Sequence, residues 1–173
     1  MKGLGLLLAL VLAAGTNARS NPAGNEASAP ACPAPTTLDE LTKALDDAVS
    51  GPGNKDRTCL RDLLTPDARL SPLVKLPDGK VAARSLTVDD WIAAVGKRGD
   101  EAFYERQIKV TKEQYGHIAH LWSEYEIRPT PDGKATTHGV NSIQAVYDGS
   151  HWKVLAVFWE SEATAESAPA REQ

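Results

Sequence analysis

Residues 115–162 read YGHIAHLWSEYEIRPTPDGKATTHGVNSIQAVYDGSHWKVLAVFWESE, and this stretch decides the fold. Apolar and polar residues alternate along three runs separated by two turns, the pattern of long antiparallel strands with one buried face. Polar side chains, His120, Ser123, Asn141 and Gln144, are set into otherwise apolar runs. A half-buried sheet carrying polar groups is how a small fold lines a pocket.

Strand parity predicts which residues share the buried face. A two-residue turn at Asp148-Gly149 sets Tyr147 opposite Ser150. Ala145 then faces Trp152, Ile143 faces Val154, Asn141 faces Ala156 and Gly139 faces Phe158. On the preceding strand the more apolar set is Ala119, Leu121, Ser123, Tyr125 and Ile127. On the first long strand it is Tyr104, Arg106, Ile108 and Val110. The expected pocket wall is therefore Tyr104, Arg106, Ser123, Tyr125 and Asn141, with Trp91 from a helix as lid or floor. Each has an ordinary structural alternative: Asn141 bonded to a neighbouring strand or helix end, Arg106 paired with Asp67 or Glu124 or exposed, Tyr125 a core aromatic. The opposite face carries Trp122, Leu155, Val157 and Trp159 among polar residues. A patch of that density predicts a homodimer formed sheet against sheet, with cover by the C-terminal tail or a neighbouring loop as the alternative.

Upstream, helices are expected. Thr37-Leu38-Asp39-Glu40 is a capping box, followed by Leu38, Leu41, Leu45, Ala48 and Val49 at helical spacing until Ser50-Gly51-Pro52-Gly53. A short second helix can start at Asp56 and end before Pro66. Leu70–Val74 and Lys80–Arg84, joined through Asp78-Gly79, suggest a short hairpin. Thr87 caps a third helix with Val88, Trp91, Ile92 and Val95 on one face. After Gly99 the period changes to two. Helix, helix, short strands, helix, then a long antiparallel sheet is an α+β order.

The N-terminus predicts the compartment. Met1-Lys2, the uncharged apolar run Leu4–Ala14 and the small residues Thr16-Asn17-Ala18 form a secretory signal peptide, residues 1–18. The run falls short of the roughly 20 apolar residues of a membrane span, so no stable membrane anchor is expected after cleavage. Losing Lys2 takes the formal charge from −4 to about −5. A mildly acidic chain without basic clusters argues against nucleic acid as a partner. Residues 19–36 form a flexible leader and 163–173 a flexible tail, with the domain at 37–162 between them. Cys32 and Cys59, an even pair behind a signal peptide, predict a disulfide.

The order of elements, with WSEYE (122–126), HGVNSIQ (138–144) and DGSHWKV (148–154) in the late strands, resembles the nuclear transport factor 2-like superfamily, and within it the secreted SnoaL-like group. The resemblance covers about residues 37–162. It implies a cone-shaped, cystatin-like fold, in which a curved antiparallel sheet wraps N-terminal helices and leaves an apolar cavity. It also implies frequent dimers. The superfamily holds isomerases, dehydratases and cyclases beside members without catalysis, so fold alone does not fix function.

Neither a metal nor a cofactor is expected. His117 and His120 are three apart in a strand and so face opposite ways. There is no His-Glu-x-x-His motif, no Gly-x-Ser-x-Gly elbow and no phosphate-binding glycine loop. Acid–base chemistry on this fold needs a carboxylate reaching into a dry cavity. Asp67 is the acid nearest by position, with Tyr125 as its partner; Asp67 can equally cap a turn. The reading that follows is a secreted, non-catalytic binding or accessory module for a small apolar ligand; the alternative is an acid–base isomerase, dehydratase or cyclase using Asp67 and Tyr125.

Overall fold

A computed structural model describes residues 31–166. The expected signal peptide, the leader up to residue 30 and the tail from residue 167 lie outside the described residues.

Helix α1 (Leu38–Val49) begins where the sequence places it. The Thr37 side chain accepts from the Glu40 amide, and the Glu40 carboxylate accepts from the Thr37 amide. Its buried face is Leu38, Leu41, Ala44, Leu45 and Ala48. A two-residue strand β1 (Gly51–Pro52), helix α2 (Thr58–Leu63), strand β2 (Leu64–Lys75) and strand β3 (Val81–Ala83) follow. Helix α3 (Val88–Gly96) carries a second capping box, Thr87 with Asp90. Four long strands complete the sheet: β4 (Ala102–Tyr115), β5 (Ile118–Arg128), β6 (Thr137–Tyr147) and β7 (Trp152–Ser161). A short helix α4 (Glu162–Ala165) extends the ordered chain past residue 162. Among the described residues, no helix is long and apolar enough to cross a membrane.

The seven strands form one curved, unclosed mixed sheet in the order β1-β4-β5-β6-β7-β2-β3. Neighbours are antiparallel except β2 and β7, which run parallel. Helices α1 and α2 pack on one face, around a core in which Leu41, Leu60, Leu63, Leu121 and Val154 are fully buried. Cys32 and Cys59 are joined by a disulfide (S–S 2.04 Å) that ties the segment before α1 to α2. The same segment is held again where the Trp152 amide donates to the Pro35 carbonyl at 2.8 Å.

Two features of the sheet depart from the expected register. The turn after β6 has four residues, not two, so Tyr147 pairs with Trp152. The cause is Asp148. Its carboxylate accepts from the Ser150 amide (2.9 Å), the Ser150 hydroxyl (2.8 Å) and the His151 amide (2.8 Å). These bonds, the His151 amide foremost, pull its pKa down to about 2. Gly149 takes the left-handed φ of 103° inside this loop. The two-residue slip preserves parity, and Ala145 meets Val154 in place of Trp152.

A bulge at Leu155 then breaks the parity. Beyond it Gln144 pairs with Ala156, Ile143 with Val157 and Asn141 with Trp159. Val157 and Trp159, expected on the outer face, therefore turn inward and pack against the core. Phe158, expected inside opposite Gly139, is exposed. The outer face instead shows Ile108, Trp122, Leu155 and Phe158, each between 44% and 47% exposed.

Candidate functional site

Strand β4 sets the site. It pairs with β5 from Tyr104↔Arg128 to Gln107↔Tyr125, then skips Ile108 so that Lys109 meets Glu124. Before this bulge the inward residues are Phe103, Glu105 and Gln107; after it they include Val110. The expected inward set, Tyr104, Arg106, Ile108 and Val110, is thus corrected at its first three members. Tyr104 and Arg106 face away from the cavity, and Arg106 pairs with Glu126 (3.0 Å), which also pairs with Arg128 (2.6 Å).

The end of α1 aims the inward residues. The Glu105 amide donates to the Ser50 hydroxyl at 2.9 Å, and the Gln107 amide donates to Asp46 at 3.0 Å. Side chains of the helix terminus thereby serve backbone groups that β5 does not reach. The Gln107 side-chain amide donates to Asp46 at 2.8 Å and to Glu105 Oε1 at 3.2 Å. The Ser123 hydroxyl donates to Gln107 Oε1. From β6, Asn141 Nδ2 donates to Glu105 Oε1 at 2.9 Å. Both of these amide bonds to the Glu105 carboxylate reach the same oxygen.

This network borders a cavity of about 100 Å³ whose walls are mostly apolar, including Leu45, Leu60, Trp91, Ile143, Val157 and Trp159. Glu105, Gln107, Tyr125 and Asn141 supply its polar surface. Tyr125 pairs with Gly139, and its hydroxyl lies where a Cβ on residue 139 would stand, 2.5 Å away. Only a glycine leaves that ring room.

Burial pushes the Glu105 carboxyl up to about 7; the Asp46 charge adds to this, while the bonds from Asn141 and Gln107 offset part of it. Burial also raises Asp46, against the two bonds from Gln107. Tyr125 is pushed up to about 12, by burial first and the Glu105 charge second.

Of the residues singled out from the sequence, Trp91, Tyr125 and Asn141 line the cavity. Ser123 is fully buried behind it and acts through Gln107. Asp67 is exposed on β2, outside the cavity, because the strand turns Ala68 inward and the carboxylate out. The protein partner of Asn141 is Glu105 on β4, a bond of the kind to another strand that was its ordinary structural alternative. Sequence reasoning missed Glu105, Gln107 and Asp46. The alternation Phe103-Glu105-Gln107 was the available signal, overridden by the more apolar Tyr104-Ile108-Val110 set. Among the described residues, no cluster of His, Cys, Asp and Glu side chains is placed to hold a metal ion.

Solved structures share this arrangement of helices and sheet. The fold is the nuclear transport factor 2-like fold. The S. rosetta CaMKII hub matches with a TM-score of 0.54 at 16% identity, over 77% of this chain and 99% of that one. A cystatin-like-fold protein of unknown function from Nostoc punctiforme matches with 0.53 at 13% identity, over 75% and 95%. An NTF-2-like protein of unknown function from Silicibacter pomeroyi matches with 0.51 at 17% identity, over 72% and 92%. No protein-family model matches the chain. No curated protein matches it. At these identities the nuclear transport factor 2-like relationship describes the backbone, and the chemistry must be read from this chain's own cavity.

Proposed function

We propose that this protein binds a small, largely apolar molecule in the cavity, with Glu105 as its anchoring polar contact. One observation carries this reading: a carboxyl group lines a mostly apolar cavity, and its two amide donors, from Gln107 and Asn141, both reach the same oxygen, Oε1. The test is a thermal-shift screen of small apolar compounds, with mass spectrometry of a denatured extract to find any retained molecule. At least one compound should raise the melting temperature of the wild type and leave Glu105→Leu unmoved. Equal shifts in both proteins would place binding elsewhere.

A second reading, acid–base catalysis of the isomerase, dehydratase or cyclase kind, is favoured by the pKa of about 7 at Glu105. Such a group can both give and take a proton near neutral pH. Glu105 takes the place that position alone suggested for Asp67, with Tyr125 beside it. Loss of turnover in Glu105→Gln, with Asp67→Asn unaffected, is the expected signature.

The setting is extracytoplasmic. The signal-peptide pattern at residues 1–18 and the Cys32–Cys59 bridge support this, as does the resemblance to the secreted SnoaL-like group. The assembly is a homodimer through the outer sheet face, centred on Trp122 and Leu155, with Ile108 and Phe158 beside them. Trp122→Glu should give monomers by light scattering at micromolar concentration; a monomeric wild type would sink the dimer.

A further inference from the structure

The cavity carries negative charge and no positive charge. Among the described residues, Glu105 is the one carboxyl on its wall, and no Lys, Arg or His lines it. Through Gln107 it is linked to a second carboxyl, Asp46 from α1. The nearest arginines in the chain and across the strand, Arg106 and Arg128, both pair with Glu126 away from the cavity. The other wall-forming side chains from α2, β2, β6 and β7 are uncharged, and β5 contributes Tyr125. From α3 comes Trp91, whose ring has Arg57 at 5.8 Å; that guanidinium is spent on the carbonyls of Val49, Pro52, Gly53 and Lys55.

Two further facts bear on what such a cavity takes. The amides of Asn141 and Gln107 both aim N–H groups at Glu105 Oε1, which favours the carboxylate over the neutral acid. Trp91, Tyr125 and Trp159 bring aromatic surface from three different elements, and aromatic rings attract cations. We propose that the ligand of this cavity is a small organic monocation, a protonated primary amine on a short apolar chain, whose ammonium meets the Glu105 carboxylate. The proposal rests on the reading of the cavity as a ligand site. The cation supplies the counter-charge that the protein withholds from Glu105. The volume sets the size. About 100 Å³ is less than the roughly 150 Å³ that houses benzene, which favours a ligand of about four or five non-hydrogen atoms.

The charge of the ligand fixes the sign of the pH dependence. A cation needs Glu105 ionised, so its affinity rises as pH climbs through 7 and levels off above. A neutral hydrogen-bond acceptor, such as a ketone, needs Glu105 protonated and shows the reverse. The indole N–H signals of Trp91 and Trp159 report occupancy in an NMR titration of the full chain with n-butylammonium, 1-butanol and 2-butanone at pH 6.0 and 8.5. The amine stays charged at both. It should bind about 10-fold more tightly at pH 8.5, because only about a tenth of Glu105 is ionised at pH 6.0 for a pKa near 7. Glu105→Gln should remove that pH dependence and weaken the amine by at least about 10-fold, with 1-butanol little changed. Trp159→Leu, a second variant that leaves the carboxyl in place, should weaken the amine more than 1-butanol. Tighter binding of 2-butanone than of the amine, strongest at pH 6.0, would overturn the cation and leave the ligand site standing. Amine binding that is pH-independent and unaltered in Glu105→Gln would also overturn it. If none of the three probes moves either indole, both the cation and the ligand site fall.

Discussion

Strands β5 and β6 face the helices with the same four-step ladder, yet its two halves are built for different ends. In the first half Ala119 meets Ala145 and Leu121 meets Ile143, all four at most 4% exposed and packed against α1 and α2. In the second half Ser123 meets Asn141 and Tyr125 meets Gly139, and here Asn141 and Tyr125 give the cavity, which begins at Ile143, its polar wall. No change of strand geometry separates them on β5. The difference is side-chain chemistry, and β4 sharpens it: the bulge at Ile108 lets Glu105 and Gln107 point inward beside the polar half and Val110 beside Ser123. A packed half gives rigidity to an under-packed one, which can then hold a carboxyl in a setting that raises its pKa. Stability should therefore reside in the first half and pH sensitivity in the second.

The largest effect should come from the packed half. Leu121→Ala should cost about 3–4 kcal/mol in denaturant unfolding, since it removes a fully buried side chain from a site with little room to collapse. A cost under about 1 kcal/mol would mean the two halves are equally loose. Next is the bridge on the same side. Replacing Cys32 and Cys59 together by Ser frees a loop with a sequence separation of 27 and should cost about 3 kcal/mol in the chain-entropy account. Labelling of the denatured, unreduced protein should find no free thiol.

The cavity half should reveal itself through pH. Glu105 has a folded pKa of about 7 against an ordinary 4.5, so between these values the folded state holds more protons than the unfolded one. Stability should then fall as pH rises from about 4.5 to about 7 and stay flat above, by on the order of 3 kcal/mol. Asp148 acts in the opposite sense and lower down: its depressed pKa gives stability that is present above the ordinary aspartate value and lost as pH falls toward 2. Unfolding at pH 2, pH 5 and pH 8 separates the two, because Glu105→Gln should abolish the change between pH 5 and pH 8 and leave the loss between pH 5 and pH 2. The smallest effect on stability should be that of Asn141→Leu, about 1 kcal/mol. It keeps the volume but removes a donor to Glu105, so the carboxyl should titrate still higher and ligand retention should fall more than stability does.

Much of the fold was legible because its signals are local. Capping boxes at Thr37 and Thr87 mark helix starts through side-chain bonds within four residues, and both helices begin there. The inner row of β5 was legible because that strand runs unbroken. The rest of the wall was not, for a physical reason. A bulge adds one residue and reverses every parity beyond it, and the bulges at Ile108 and Leu155 leave no mark in composition. They moved Trp159 and Val157 inward, Phe158 outward, and put Glu105 in place of Arg106. Asp148 lengthened its turn through three bonds from its own carboxylate, which the Asp-Gly pair alone does not foretell. The polar half was the harder half to read because its residues violate the apolar rule that locates a buried face.

The ionisation of Glu105 tests the account most directly. Carbon-13 NMR of the Glu105 side-chain carboxyl, followed from pH 3 to pH 10 and assigned with Glu105→Gln, reads the midpoint without any ligand. A carboxyl held in the cavity beside Asp46, Gln107 and Asn141 should titrate near 7. A midpoint at the ordinary glutamate value, about 4.5, would mean that water reaches the group freely, and the distinction between the packed half and the cavity half would fail with it.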